Sequence, residues 1–125
     1  MTPLVYVALA LAGGAGASLR FVLDGLIRTT VQTAYPFATT LINVSGSLLL
    51  GLITGLAAQL LLPPELALIL GAGFLGGYTT FSTASYETVR LIQQRRYGES
   101  LASGVGMLML AVGAAMLGLW IASLF

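Results

Sequence analysis

Four apolar segments of about 20 residues or more, joined by short polar connections, constrain this sequence more than any other feature. A segment of this length spans the hydrocarbon core of a bilayer as an α-helix, and in lipid the backbone must satisfy its own hydrogen bonds. We therefore predict an all-α membrane protein with four transmembrane helices in a single domain, residues 1–125. The predicted helices run from about Leu4 to Val22, Phe37 to Leu62, Pro64 to Val89 and Leu101 to Leu124.

The composition indicates that lipid is the solvent and makes an enzyme an unattractive interpretation. Only 7% of the residues are charged and 58% are hydrophobic, whereas a soluble domain carries about 25% charged residues. The chain contains no cysteine and no histidine, which removes disulfides, the usual zinc ligands and the commonest general base. A net charge of +1 is too small for binding nucleic acid.

The basic residues predict how the chain is oriented. With four spans, the connections at residues 24–36 and 93–100 lie on one side, and the Pro63-Pro64-Glu65 turn shares the other side with both termini. We predict that the first side is cytoplasmic and the termini face out, in a multi-pass protein of the cell inner (plasma) membrane. No basic stretch precedes the first segment, so we expect a retained helix and not a cleaved signal peptide. All five basic residues belong to the first side: Arg20, Arg28, Arg90, Arg95 and Arg96.

Asn43 is the most informative residue of the second helix. An amide in hydrocarbon is unfavourable unless it is satisfied. Four hydroxyl residues fall within about 60° of it on a helical wheel, so the stripe could line a wet path. A hydrogen bond between helices, with no role in transport, is the alternative interpretation. The four residues are Thr39, Thr40, Ser47 and Thr54.

The third segment carries the sharpest feature, the mid-span stretch GAGFLGGYTTFST at residues 71–83. Paired glycines followed by threonines weaken a helix, and we predict that the third helix is broken at Gly76-Thr80. Broken backbone at that depth survives when it is buried in protein or lines a cavity, and its carbonyls and amides can hold ions. The alternative is a glycine-rich packing face whose threonine hydroxyls bond to their own helix.

An anion would find neutral hydrogen-bond donors in these two helices. The amide of Asn43 can donate, as can the nearby hydroxyls, and the weakly positive ring edge of Phe81 could face an anion. This set of groups permits anion conduction but does not select one anion.

Three motifs resemble those of the Fluc/CrcB fluoride channel family. The strongest is the third-helix stretch at residues 73–83, and the resemblance extends to residues 13–21 and 43–46 and so to nearly the whole chain. It implies an antiparallel dimer, with fluoride and the lipid bilayer as partners, that exports cytoplasmic fluoride passively and gives fluoride resistance. It also implies a structural Na⁺ at the dimer interface, held by the backbone carbonyls of Gly76 and Thr79.

The resemblance further assigns roles to pore residues. Asn43 matches the pore asparagine, Phe81 matches the first of two phenylalanines beside fluoride, and Arg20 matches an arginine near the pore vestibule. The hydroxyl-bearing stretch beside the pore is matched by Thr80, Ser82 and Thr83.

The sequence departs from the family pattern at two places. Ala84 stands where the family has its second phenylalanine, and the fourth helix carries no hydroxyl between Gly104 and Ile121. The basic residues all belong to one side of the predicted membrane protein, which predicts that each copy inserts in a single orientation. Our hypothesis is therefore a heterodimer with an inverted paralogue, with a homodimer as the other possibility.

Two other functions fit four apolar helices. A proton-coupled small multidrug exporter needs a carboxylate inside a helix, and residues 4–19 contain none. A non-conducting membrane scaffold has no need of costly polar groups at mid-depth, such as the stripe around Asn43.

Overall fold

The computed structural model describes residues 2–125, and within these residues it is all-helical. Four helices are long and apolar enough to cross a membrane, which confirms the predicted fold class and a multi-pass membrane protein. Large apolar side chains point outward over much of the surface, as expected where lipid covers the bundle. The helices are Pro3–Thr30, Phe37–Ala58, Pro64–Gln93 and Tyr97–Ala122.

The first helix is longer than the sequence indicated. It continues without interruption to Thr30, so the prediction of a connection beginning at Asp24 was wrong. Asp24 and Arg28 are one turn apart on the continued helix and form an ion pair at 2.9 Å, which adds to the stability of this part of the helix. Charge at this position therefore does not mark the end of the helix.

The second helix is shorter than predicted and ends at Ala58. Leu60 adopts the left-handed conformation with φ of 61°, and the amide of Leu61 reaches back to the carbonyl of Leu56 at 3.0 Å. This hydrogen-bond pattern closes a helix, although glycine is the residue that usually takes the left-handed position. Residues 60–62 are all leucine, so the sequence did not indicate that the second helix ends at Ala58.

Contacts at the two ends of the bundle establish that the helices alternate in direction. At one end, Arg28 of the first helix binds Glu87 near the end of the third helix, at 3.0 Å. At the other end, the side-chain amide of Gln59 donates to the carbonyl of Ala122, at 2.9 Å. The first and third connections therefore share one end, as predicted.

Glycines allow the helices to approach closely in two pairs. A Cβ at Gly77 would overlap the carbonyl of Gly13, where the third helix crosses the first. A Cβ at Gly51 would overlap the carbonyl of Ala115, where the second helix crosses the fourth. Small residues at such crossings let membrane helices pack by direct backbone contact.

Candidate functional site

The third helix is interrupted at residues 79–81, between Tyr78 and a second helical half, Ser82–Gln93. Thr79 is extended, with φ of −84° and ψ of 160°. The predicted break is thus confirmed, but Gly76 and Gly77 remain helical and the threonines interrupt the helix. Gly77 instead serves the contact with the first helix, and a π-helical segment, Ile69–Leu75, precedes the two glycines.

Asn43 supports the broken backbone from the second helix. Its Nδ2 donates to the carbonyl of Thr80, and the amide of Thr80 donates to its Oδ1, both at 2.8 Å. If the amide group of Asn43 were flipped, its Nδ2 would face the amide of Thr80 and its Oδ1 would face the carbonyl of Thr80. These two bonds therefore determine the orientation of the side chain. In a continuous helix the Thr80 amide would donate to the carbonyl of Gly76. Asn43 therefore replaces a helical hydrogen bond and frees that carbonyl.

A cavity of about 610 Å³ opens beside the break, between the second, third and fourth helices. Asn43, Thr80 and Phe81 line it, so the structure brings these three predicted site residues together. Its other walls are apolar or carry hydroxyls. The hydroxyl-bearing residues that line it are Ser47, Thr79, Thr80, Ser85, Thr88 and Ser103.

The ring of Phe81 lies at the open side of the cavity, and the residue is 86% exposed. One turn further along the same helix, Ala84 lines the cavity with its single methyl group. The position at which the sequence departs from the family pattern thus leaves space next to Phe81.

Thr80, Ser82 and Thr83 form one hydroxyl cluster at the start of the second helical half. The Oγ1 of Thr80 accepts from the amide of Thr83 at 3.2 Å and donates to the Oγ1 of Thr83 at 3.1 Å. Thr80 therefore caps the new helix, which explains why the chain resumes a helix there. Ser82 and Thr83 do not line the cavity themselves.

Arg20 lies on the first helix and is not part of the cavity wall. Its Nε is buried and has no hydrogen-bond partner among residues 2–125.

Gly76 and Thr79, the residues expected to hold Na⁺, both line the cavity. The break frees the carbonyl of Gly76, and carbonyl oxygens are suitable ligands for a hard cation. Among residues 2–125 there is no cluster of acids that could hold a metal instead. The freed carbonyl of Gly76 is thus a donor that fits a cation bound by backbone oxygens.

Two polar contacts could not be predicted from the sequence. Glu87 accepts from Arg28 and from the hydroxyl of Thr39, which joins three helices at one end of the bundle. Nearer the cavity, the hydroxyls of Thr88 and Ser103 lie 3.0 Å apart. The spacing of Asp24 and Arg28, four residues, was the one signal that could have indicated the first network.

These features define a class: a small, multi-pass, all-helical membrane protein built around a broken third helix and a hydroxyl-lined cavity. Residues 7–119 match the family described as CrcB-like protein, Camphor Resistance (CrcB). The chain belongs to this CrcB family.

Curated relatives extend the match to almost the full chain. Fluoride-specific ion channel FluC 1 of Leifsonia xyli is 60% identical over 124 residues, covering 99% of this chain and 90% of the relative. FluC 2 of Mycobacterium bovis is 40% identical over the same share of this chain and 95% of its own. FluC of Thermus thermophilus is 39% identical over 113 residues, 90% of each chain.

Proposed function

We propose that this chain is a subunit of a fluoride-specific ion channel that exports cytoplasmic fluoride passively and gives fluoride resistance. The observation that carries the proposal is 60% identity, over 99% of the chain, to a relative named for this activity. The cavity supports it, because neutral amide and hydroxyl groups line it beside a break in a membrane helix. Neutral donors can bind an anion and still release it, as conduction requires.

The test is fluoride efflux from liposomes that hold the purified chain alone, with chloride as the control anion. Fluoride loss without chloride loss would support the proposal, and it would also mean that the chain pairs with itself. If the protein is folded and inserted but gives no efflux, the chain is reconstituted a second time together with an inverted paralogue. Absence of fluoride efflux there as well would refute the proposal.

The channel is a dimer of two inverted subunits, either two copies of this chain or this chain with a paralogue. The exposed ring of Phe81 and the open side of the cavity support a second subunit there, because a single chain leaves the site incomplete. A structural Na⁺ at the interface, coordinated by the carbonyls of Gly76 and Thr79 from both subunits, accounts for the freed backbone oxygen. Replacing Na⁺ by a large organic cation during purification should then reduce fluoride efflux.

This chain takes one orientation in the cell inner membrane, with the first and third connections in the cytoplasm, so an inverted paralogue is the partner that we favour. The support is that all basic residues belong to that side of the chain. Because the chain has no cysteine, single cysteines report orientation directly. Gly98→Cys should be protected from a membrane-impermeant maleimide in intact cells, and Ser123→Cys should react. Equal labelling at both positions would indicate both orientations and favour a homodimer.

The proton-coupled exporter is the weaker candidate. Three carboxylates lie within the four helices at the end of the bundle that holds the first and third connections. Asp24 and Glu87 are bound to Arg28, and Glu99 is bound to Arg96. A carboxylate held by an arginine is poorly suited to exchanging a proton for a cation. Fluoride efflux that does not depend on a proton gradient would separate the two mechanisms.

A further inference from the structure

The amide of Asn43 carries two hydrogens, and the structure gives each of them a different partner. One hydrogen bonds to the carbonyl of Thr80 at 2.8 Å, and this bond also fixes the orientation of the side chain. The other faces the Sδ of Met107 at 3.4 Å. Asn43 therefore has no free donor in this conformation, although it is the amide closest to the break.

The two partners differ greatly in strength. The carbonyl of Thr80 is a good acceptor and belongs to the backbone, whereas a thioether sulfur is a weak acceptor on a flexible side chain. A charged acceptor forms hydrogen bonds roughly twice as strong as neutral ones. An anion entering the cavity would thus displace Met107 and leave the Thr80 bond in place.

Met107 occupies a distinctive position in the fourth helix. It lines the cavity and is only 5% exposed, whereas Met109 and Met116 point outward from the bundle. Of the fourth-helix residues in the cavity wall, only Ser103 and Met107 carry a side-chain heteroatom. The hydroxyl of Ser103 is already paired with Thr88. The sulfur of Met107 is the one group from this helix that forms a hydrogen bond with Asn43.

We propose that Met107 is a positioning residue that holds the second amide hydrogen of Asn43 until fluoride takes it. This inference rests on the proposed function. An unpartnered amide hydrogen in a half-buried site is unfavourable, and the sulfur satisfies it when no anion is present. Because the bond is weak, fluoride has little to displace, and Met107 returns when the anion leaves. The residue thereby sets the fluoride concentration at which the site fills.

The direct test is NMR of the full chain in lipid nanodiscs, with ¹³C-labelled methionine methyl groups. Fluoride should shift the Met107 methyl resonance with a saturable dependence, while the outward-facing Met109 and Met116 resonances stay unchanged. Chloride should shift none of them. Fluoride flux from the same protein with an unmoved Met107 resonance would overturn the inference but leave the proposed function intact. Absence of flux from correctly assembled protein would refute the proposed function instead.

A matched pair of variants tests the effect on transport. Met107→Leu keeps a similar side-chain volume and removes the acceptor. Loss of one weak hydrogen bond to the empty site should lower the half-saturating fluoride concentration about two- to fivefold. Met116→Leu, the same substitution on the outer face, should leave that concentration unchanged. An unchanged value in Met107→Leu, with normal maximal flux, would contradict the positioning role.

Discussion

Replacing Asn43 by leucine removes the support of the broken third helix at a single point. Two bonds of 2.8 Å are lost, and both the amide and the carbonyl of Thr80 lose their partners. Each unsatisfied polar group costs about 1–3 kcal/mol when buried, but hydrogen bonds inside membranes average only about 0.6 kcal/mol. The site is half-buried and leucine gains apolar contact. We therefore expect a net loss of about 2 kcal/mol in the free energy of unfolding.

The same loss acts on the conformation of the break. Without Asn43, the Thr80 amide can return to the carbonyl of Gly76, and the third helix becomes continuous. A difference of about 2 kcal/mol lowers the ratio of broken to continuous third helix about 30-fold. We expect fluoride efflux from liposomes to fall in Asn43→Leu, by up to that factor.

The control for this experiment is Thr54→Leu. Thr54 lies on the same helix but is exposed on the outer surface, so the substitution should change neither stability nor flux. Both variants are compared with the parent chain by thermal unfolding in detergent and by efflux. If Asn43→Leu keeps the flux and stability of the parent chain, Asn43 does not support the break at Thr80. That result would favour a scaffold in which the mid-span amide has no role.

Three further predictions concern packing and the network at the end of the bundle. Gly77→Ala places a methyl group on a carbonyl of the first helix and should lower the melting temperature, while Gly113→Ala, with open space around it, should be neutral or slightly stabilising. Arg28→Ala leaves the carboxylate of Glu87, which is 12% exposed, without its cation, and should destabilise by about 1–2 kcal/mol. Adding Glu87→Gln should recover most of that loss, and a double variant no more stable than Arg28→Ala would contradict the pairing. Ser103→Ala should cost about 1 kcal/mol by thermal unfolding, because its hydroxyl is paired in a buried position.

The sequence predicted the four helices well because hydrophobic length alone specifies a membrane span. It also predicted the break in the third helix, although the interruption begins at the threonines and the adjacent glycines stay helical. Helix ends were harder to predict. The ion pair of Asp24 with Arg28 adds to the stability of the longer first helix, and a left-handed Leu60 shortens the second, and neither effect appears in a hydropathy pattern.

The candidate site was only partly predictable. Asn43, Thr80 and Phe81 could be chosen from residue type and family resemblance, and the structure places all three at one cavity. The pairing of Glu87 with Arg28 could not be predicted, because the two residues are 59 positions apart in the sequence. The same holds for Met107, which reads as one more apolar residue in an apolar helix.

The sequence by itself therefore determined that the chain spans a membrane four times, where its third helix breaks and which family it resembles. These properties depend on local composition and on neighbours along the chain. Only the tertiary structure decided that Asn43 bonds to Thr80 and supports the helix break there. It also decided that the sulfur of Met107 accepts the remaining amide hydrogen of Asn43. The physical reason is that a hydrogen bond depends on distance and direction in space, and the packing of the second, third and fourth helices brings those atoms together.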